Sequence, residues 1–262
     1  MIAMDDKEEN ISWYKDVVPE KIEWLWYPYI PFGKISLLQG AEDCGKVTVM
    51  IDIITKLTMG DSMPDSSRME PINVAYFCTE DKWAGTIRPT LESMGTVIAR
   101  VKHIKEDLLR HILNGELIEN EEADLKVRLL VIDPLYAYTG NIFSKSSSTR
   151  KDLSKLRKWA SANKCAVVLI GSIKTKRQKD IYRGLGSVEI MVMARSVMQI
   201  DRSESEPQVK YLRHIKSNLT AESKERIFKI DDKGRVDWLT SNKGNPIEKP
   251  DSNECNSRYE EV

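Results

Sequence analysis

The sequence predicts an α/β fold in which a mostly parallel sheet is flanked by helices and continues into C-terminal antiparallel strands. Continuous apolar runs, typical of strands covered on both faces, occur at residues 74–78, 129–132 and 166–170, and a short, largely apolar strand at 35–38. Segments with apolar residues at helical spacing lie between these runs. Strands that alternate with helices indicate parallel pairing through right-handed crossovers. From residue 196 onward, short apolar strands alternate with turns instead.

The individual elements follow from the same patterns. Residues 46–59 carry apolar side chains at helical spacing, and Gly60 is a plausible stop. Further helices are predicted at 84–94, near 105–113 and at 150–163. Loops are predicted at 60–71 and 115–124, and the late strands at 197–200, 209–214, 227–230 and 236–239.

The length and composition are those of one large globular domain. The chain has 262 residues, and its 40 basic residues balance its 40 acidic ones. Net charge therefore gives no argument for nucleic acid, so any such site must be a local patch. The four cysteines form no C-x-x-C pair, which favours a reducing, cytoplasmic location over a disulfide scaffold or a zinc site. No apolar run approaches membrane-spanning length, so we expect no membrane contact.

The chain divides into three regions. Residues 1–20 are polar and are predicted to form a flexible N-terminal arm. Residues 21–239 form the folded domain, and its aromatic segment at 24–31 is expected to pack against the core. Residues 240–262 are rich in Asn, Ser, Lys and Glu and are predicted to be a disordered tail.

The strongest motif lies between the first buried strand and the first helix. Gly40, Gly45 and Lys46 match G-x-x-x-x-G-K-[S/T], in which backbone N–H groups cradle nucleotide phosphates, the lysine reaches the outer phosphates and the hydroxyl holds Mg²⁺. The alternative is an ordinary turn between a strand and a helix. The candidate nucleotide-binding residues are Gly40, Ala41, Glu42, Asp43, Cys44, Gly45, Lys46, Val47 and Thr48.

One part of this motif is missing. Val47 occupies the hydroxyl position and cannot bind a metal, and Thr48 points about 100° away on a helix. Glu42 and Asp43 also place negative charge next to an anion site. Asp43 occupies a position at which glycine would let the backbone turn without steric cost.

Polar residues follow each of the predicted parallel strands. Gly40, Glu80, Asp133 and Ser172 come just after strands, whose carboxyl ends meet in one crevice. Asp133 would hold Mg²⁺ through water, and Glu80 would orient and deprotonate an attacking water. The alternatives are a strand-terminating aspartate and a solvated acidic turn.

Two groups of cations are further candidates. Arg195 and Lys216 lie near strand starts and would serve a neighbouring subunit's nucleotide, or are simply surface cations. The segment 174–183 would meet the phosphates of single-stranded DNA, or is a solvated loop. Its cations are Lys174, Lys176, Arg177, Lys179 and Arg183.

Together these motifs resemble the RecA-like P-loop ATPases of the RepA replicative-helicase type (AAA family ATPases). The resemblance covers roughly residues 22–231. It implies a RecA-like ATPase domain over 21–239 that assembles into a ring, a hexamer in this family, with ATP and Mg²⁺ at subunit interfaces and single-stranded DNA near the channel. The segments that carry it are 24–34, the phosphate loop, 79–81, 130–135, 168–171, 182–187, 194–197 and 216–218.

The resemblance also implies roles for single residues. Lys46 contacts the phosphates, Glu80 is the catalytic base, and Asp133 is the metal-associated carboxylate. Arg195 is the candidate finger that reaches the neighbouring subunit, with Lys216 as the weaker candidate.

The chain departs from the family pattern at three positions of the active site. Where this chain has Asp43, Val47 and Ser172, the family usually has glycine, threonine and histidine, respectively. These departures leave two hypotheses. The first is an ATPase that acts on DNA in replication of a mobile element, and the second is a catalytically impaired pseudo-ATPase that serves as a nucleotide-binding or scaffolding ring subunit. A small-molecule P-loop kinase is a weaker third, because no lid or acceptor pocket is recognisable.

Overall fold

The computed structural model describes residues 20–64, 66–78, 83–114, 126–133, 146–173, 188–220 and 225–239, and positions 13, 15 and 18. Its main feature is a nine-stranded sheet with the strand order β11-β10-β9-β8-β3-β7-β6-β4-β5. A separate two-stranded ribbon comes first in the chain. The strands are β1 (Trp24–Trp26), β2 (Ile30–Pro31), β3 (Ile35–Gly40), β4 (Val74–Cys78), β5 (Val101–His103), β6 (Leu129–Asp133), β7 (Ala166–Ser172), β8 (Ser196–Arg202), β9 (Val209–Ser217), β10 (Arg226–Ile230) and β11 (Val236–Leu239).

The sheet has a parallel part and an antiparallel part. Strands β5, β4, β6, β7, β3 and β8 pair in parallel, and β9, β10 and β11 continue the sheet in antiparallel fashion. This confirms the predicted fold class. Strand β8 belongs to the parallel part, although its sequence groups it with the late, turn-connected strands.

Helices cover both faces of the sheet. They are α1 (Lys46–Met59), α2 (Arg88–Ser93), α3 (Glu106–Asn114), α4 (Ser146–Ala162) and α5 (Val188–Met193). Alternate residues of β3 enter different cores: Leu38 packs with α1, and Leu37 packs with the cluster that includes Leu153 of α4. Because both faces are buried, the central strands are continuous apolar runs instead of alternating ones. Within the described ranges, every helix is too short or too polar to cross a membrane.

Helix α1 begins and ends at glycines in the left-handed region. Gly45 precedes it with φ 94°, and Gly60 follows it with φ 74° and donates its N–H to the Lys56 carbonyl. Left-handed backbone costs a residue with a side chain about 1–2 kcal/mol, which glycine avoids. The predicted bounds of this helix are confirmed.

The aromatic segment packs against the core as expected. Trp26 is 1% exposed, and its ring lies 4.5 Å from Tyr29 and 5.6 Å from Trp238 between ring centroids. Its indole N–H donates to the Pro64 carbonyl at 3.3 Å. The segment therefore joins the start of the domain to its last strand.

Two predicted helices differ from the structure, and one strand was not predicted. The helix predicted at 84–94 is a π-helical turn (Trp83–Ile87) followed by α2, where Pro89 at the start of α2 has no N–H to donate. Helix α4 begins at Ser146, four residues before its predicted start. Strand β5 is not predicted, because three residues at a sheet edge carry no continuous apolar run. The loop at 115–124, the arm and the tail lie outside the described residues, apart from the isolated positions.

Removing apolar volume from the buried side of α1 tests this packing. We expect Ile54→Ala to lower the free energy of unfolding by about 2–5 kcal/mol, because Ile54 is 0% exposed and its loss leaves a cavity. Met59→Ala is the control, because Met59 lies at the end of the same helix and is 48% exposed. We expect this variant to change the free energy of unfolding by less than about 0.5 kcal/mol. Urea denaturation of both variants measures the difference. Equal effects would show that α1 does not pack on the sheet in this orientation.

Candidate phosphate-binding site

The loop between β3 and α1 has the geometry of an anion-binding turn. It leaves the sheet at Gly40, and the Cys44 N–H donates to the Ala41 carbonyl at 3.4 Å. Gly45 then leads into α1, whose first helical hydrogen bond runs from the Val49 N–H to the Gly45 carbonyl at 2.9 Å. The first turn of a helix presents N–H groups without helical acceptors, and the helix dipole adds positive potential there. The loop can therefore hold phosphate oxygens.

Two glycines allow the loop to lie this close to the sheet. A Cβ at Gly40 would stand 2.7 Å from the Ile200 carbonyl oxygen of β8 and 2.5 Å from the Cys44 sulfur. A Cβ at Gly45 would stand 2.5 Å from Cδ1 of Ile230 on β10. The motif glycines are therefore needed for packing as well as for the turn.

Asp43 adopts the backbone conformation that glycine would adopt more easily. Its φ is 57°, in the left-handed region. Its carbonyl accepts a hydrogen bond from a guanidinium N–H of Arg202, at the end of β8. The side chains of Glu42 and Asp43 are exposed, so their charge is screened by solvent. The departure from glycine is accommodated, and the loop keeps its turn.

Lys46 is held over the loop. Its side chain is buried, with 7% exposure, and its Nζ donates to the carbonyls of Gly40 at 3.1 Å and Ala41 at 2.6 Å. These contacts fix the ammonium at the mouth of the loop. An anion bound there would meet a charge that is already positioned.

Val47 has no polar function in the structure. It is half-buried and packs against the apolar core that contains α1. The position of the motif hydroxyl is therefore occupied by methyl groups. Thr48 is also half-buried, one helical position away.

Asp133 lies on the same edge of the sheet, two strands away. Strand β7 separates β6 from β3, and Ser172 of β7 is level with Gly40. Asp133 is 8% exposed, and its Oδ2 accepts a hydrogen bond from the Tyr76 hydroxyl at 2.7 Å. Burial and the Asp133 charge raise the pKa of Tyr76 well above its usual value, so this hydroxyl stays a donor.

The donors at this edge fit phosphate better than they fit a metal. Backbone N–H groups and Lys46 suit phosphate oxygens, whereas Asp133 is the buried carboxylate that could offer oxygen to Mg²⁺. Within the described ranges, no cluster of three or more His, Cys, Asp or Glu side chains is placed to hold a metal ion. Mg²⁺ often binds through one carboxylate together with the phosphates of its nucleotide, and Asp133 is the carboxylate placed for that arrangement.

Arg195 and Lys216 lie at the opposite edge of the sheet. The Arg195 N–H donates to the carbonyl of Ile35, the first residue of β3, whereas the phosphate loop follows the last residue. Six residues of strand separate the two edges by about 16 Å. Neither cation can therefore serve the phosphate loop of its own chain through a short contact.

The two cations differ in availability. Arg195 is exposed. Lys216 donates to the carbonyls of Met191, Val192 and Ala194 at 2.5, 3.2 and 2.9 Å, at the end of α5. Burial, and then the nearby Arg195 charge, lower the pKa of Lys216. Lys216 therefore has a structural role that Arg195 lacks, which favours Arg195 as the finger.

The remaining candidates cannot be placed. Glu80 and the five cations of the segment 174–183 lie outside the described residues. Their roles stay predictions from the sequence.

Two cations near the loop were not found by sequence reasoning. Arg202 ends β8, and Lys210 faces it from β9 in the antiparallel ladder. Arg202 follows a predicted strand, as Gly40 and Asp133 do. This position would have identified Arg202 only if the parallel pairing of β8 with β3 had been known, because that pairing places the carboxyl ends of the two strands side by side.

The strand order and the loop define the class of protein. A phosphate loop after a central strand, with a carboxylate two strands away on the same edge of a mostly parallel sheet, is the arrangement of the RecA-like P-loop ATPase fold. Residues 5–173 match the family model AAA_25, described as an AAA domain. The chain belongs to this family.

A solved structure shows the same fold. The crystal structure of a KaiC-like protein from the hyperthermophilic archaeon Pyrococcus horikoshii OT3 superposes with a TM-score of 0.60 at 18% sequence identity. The match covers 80% of this chain and 91% of that one. At this identity the likeness concerns the fold. No curated protein matches the chain in sequence.

The close approach of the loop to β8 can be tested by adding one methyl group. We expect Gly40→Ala to lower the free energy of unfolding by about 1–3 kcal/mol, because the new Cβ meets the Ile200 backbone. Gly85→Ala is the control, since a Cβ there meets nothing within 4 Å. Urea denaturation compares the two. If Gly40→Ala were as stable as Gly85→Ala, the loop would not lie against β8.

The hydrogen bond between Tyr76 and Asp133 predicts both a stability loss and a pH dependence. We expect Tyr76→Phe to lower the free energy of unfolding by about 1–3 kcal/mol, because a buried carboxylate loses a hydrogen-bond donor. The raised pKa of Tyr76 stabilises the native protein below about pH 10, and this contribution is lost as the pH rises further. The alkaline loss should be smaller in Tyr76→Phe. Urea denaturation from pH 7 to 11 measures both effects. Identical dependence of the free energy of unfolding on pH in the wild type and in Tyr76→Phe would contradict the contact.

Proposed function

We propose that this protein is an ATP-binding subunit of a RecA-like ring and that it couples ATP to work on single-stranded DNA in replication of a mobile element. The observation that carries the nucleotide part is Lys46, buried over a phosphate loop whose turn is intact. The DNA part is supported by the resemblance of the ordered motifs to RepA-type ATPases and by the cation-rich segment 174–183.

The ring is supported by the position of Arg195. A cation that would act on a nucleotide must lie near one, and Arg195 is exposed on the edge opposite its own phosphate loop. A head-to-tail arrangement of subunits would bring one subunit's Arg195 to the next subunit's loop. Light scattering with and without ATP measures the assembly, and a monomer under both conditions would contradict it.

In this arrangement each residue has a separate task. The loop N–H groups and Lys46 bind and orient the phosphates. Asp133 is the carboxylate that would hold Mg²⁺, which supplies charge stabilisation when it is bound. Glu80 would orient the attacking water and accept its proton, and Arg195 would stabilise the charge that develops on the terminal phosphate.

A second candidate function is favoured by one specific observation. Val47 places methyl groups where the motif has a hydroxyl, and these methyl groups pack into the core. Loss of this ligand is expected to affect hydrolysis more than binding, because the backbone and Lys46 contacts remain. The protein would then be a pseudo-ATPase whose nucleotide has a structural or scaffolding role in the ring.

Lys46→Ala tests the nucleotide site. We expect ATP to bind about 10- to 150-fold more weakly to this variant, because a charge-assisted contact contributes about 1.5–3 kcal/mol. Lys56→Ala is the matched control: Lys56 lies on the same helix and pairs with Asp52 at 3.1 Å, away from the loop. Calorimetric titration of ATP with Mg²⁺ measures the affinities. Equal ATP affinity in the wild type and Lys46→Ala would overturn the proposal.

Steady-state hydrolysis with and without single-stranded DNA separates the two candidate functions. Turnover above the Lys46→Ala background, raised by DNA, would support the ATPase acting on DNA. Turnover equal to that background, together with Lys46-dependent binding, would support the pseudo-ATPase. Val47→Thr then asks whether the missing hydroxyl alone limits the rate.

A further inference from the structure

Among the residues that the structure describes, three cations lie around the phosphate loop, and their environments differ. Lys46 donates to the carbonyls of Gly40 and Ala41, and Arg202 donates to the carbonyl of Asp43. Lys210 is 8% exposed, yet its ammonium makes no hydrogen bond or ion pair with any residue that the structure describes. Lysine is rarely buried to this extent without a partner.

The side chain of Lys210 passes directly over the start of α1. Its Cε and Cδ lie 3.4 and 3.6 Å from the position that a Cβ on Gly45 would take. Packing of the aliphatic stem against Gly45 accounts for part of its burial, since lysine stems cover apolar surface readily. It does not account for the placement of the charge.

The charge stands where other positive charges already are. Arg202 and Lys210 are opposite each other in the β8–β9 ladder, and like charges in that position are destabilising. The N-terminus of α1 adds its own positive potential. Burial and the Arg202 charge both lower the pKa of Lys210. The exposed carboxylates of Glu42 and Asp43 form no ion pair with it. An anion at the loop would relieve this arrangement.

The position of Lys210 in the sheet indicates which part of a nucleotide it would meet. Strand β3 has β7 and then β6 with Asp133 on one side, and β8 and then β9 with Lys210 on the other. In the proposed function the terminal phosphate faces Asp133, where hydrolysis takes place. The phosphates nearer the nucleoside must then face β8 and β9.

We propose that Lys210, supported by Arg202, binds the nucleoside-proximal phosphates of a nucleotide held by the phosphate loop of the same chain. The inference rests on the proposed nucleotide-binding function and adds a binding residue outside the loop motif. Because ATP and ADP share these phosphates, Lys210 contributes equally to both. This contact also needs no metal ion.

Calorimetric titration of ATP and ADP into the full chain, with Mg²⁺ and with EDTA, tests the assignment. Lys210→Met keeps the aliphatic stem and removes the charge. We expect it to lower the affinities for ATP and ADP by a similar factor of about 10 or more. Lys229→Met is the matched control: Lys229 lies on the neighbouring strand β10, on the other face of the sheet, and pairs with Glu206 at 3.7 Å. We expect Lys229→Met to bind ATP and ADP with the affinities of the wild type.

Stability without nucleotide gives an independent readout. Removing the Lys210 charge, which stands opposite Arg202 and beside the start of α1, should leave the apparent melting temperature of Lys210→Met unchanged or higher, whereas loss of a purely structural lysine should lower it. A lower melting temperature of the free protein would overturn the proposal. This measurement also shows whether the variant is folded in the titrations.

The titrations separate the failure of this inference from failure of the proposed function. Lys46-dependent binding that is unaffected by Lys210→Met would overturn the inference and leave the proposed function standing. A lower affinity for ATP alone would also overturn the inference, since this result would place Lys210 at the terminal phosphate. If the wild type bound neither ATP nor ADP, the proposed function would fail and the inference with it.

Discussion

The site depends on the close passage of the phosphate loop over strand β8. Strand β3 lies between β7 and β8, parallel to both, so the chain must leave the sheet at Gly40 directly beside the Ile200 carbonyl. No side chain fits there. The loop, the start of α1 and the Lys46 ammonium then take their positions from this one contact. Asp133 reaches the same edge because its strand is parallel as well.

The loop retains its shape although its sequence departs from the family pattern. Asp43 takes a left-handed conformation, and Arg202 holds its carbonyl. Val47 gives the core apolar contacts in place of a hydroxyl. The turn of the loop and the position of Lys46 are kept with these residues, while the position of the motif hydroxyl is apolar.

Sequence reasoning recovered the elements whose physical signal is local. The buried strands, helix α1 with its terminal glycines and the loop motif all follow from short stretches of residues. Strand β5 has no such signal, because its three residues at the edge of the sheet carry no apolar run. Pro89 is visible in the sequence, but it does not show that the turn before it, Trp83–Ile87, is π-helical. Lys46 and Asp133, which the motif and the strand-end position singled out, lie at the same edge of the sheet. The sequence did not single out Arg202 and Lys210, because they become neighbours of the loop only through strand pairing.

The sequence by itself determined the fold class and the place of the phosphate loop, since hydrophobic periodicity and glycine spacing act over a few residues. Only the tertiary structure decided which strands are adjacent. That choice places Arg195 on the edge opposite the loop and Lys210 over Gly45, although both are cations near strand ends. The physical reason is that strand order and direction arise from burial over the whole sheet. A charge in one strand therefore receives its neighbours from segments that are distant in the chain.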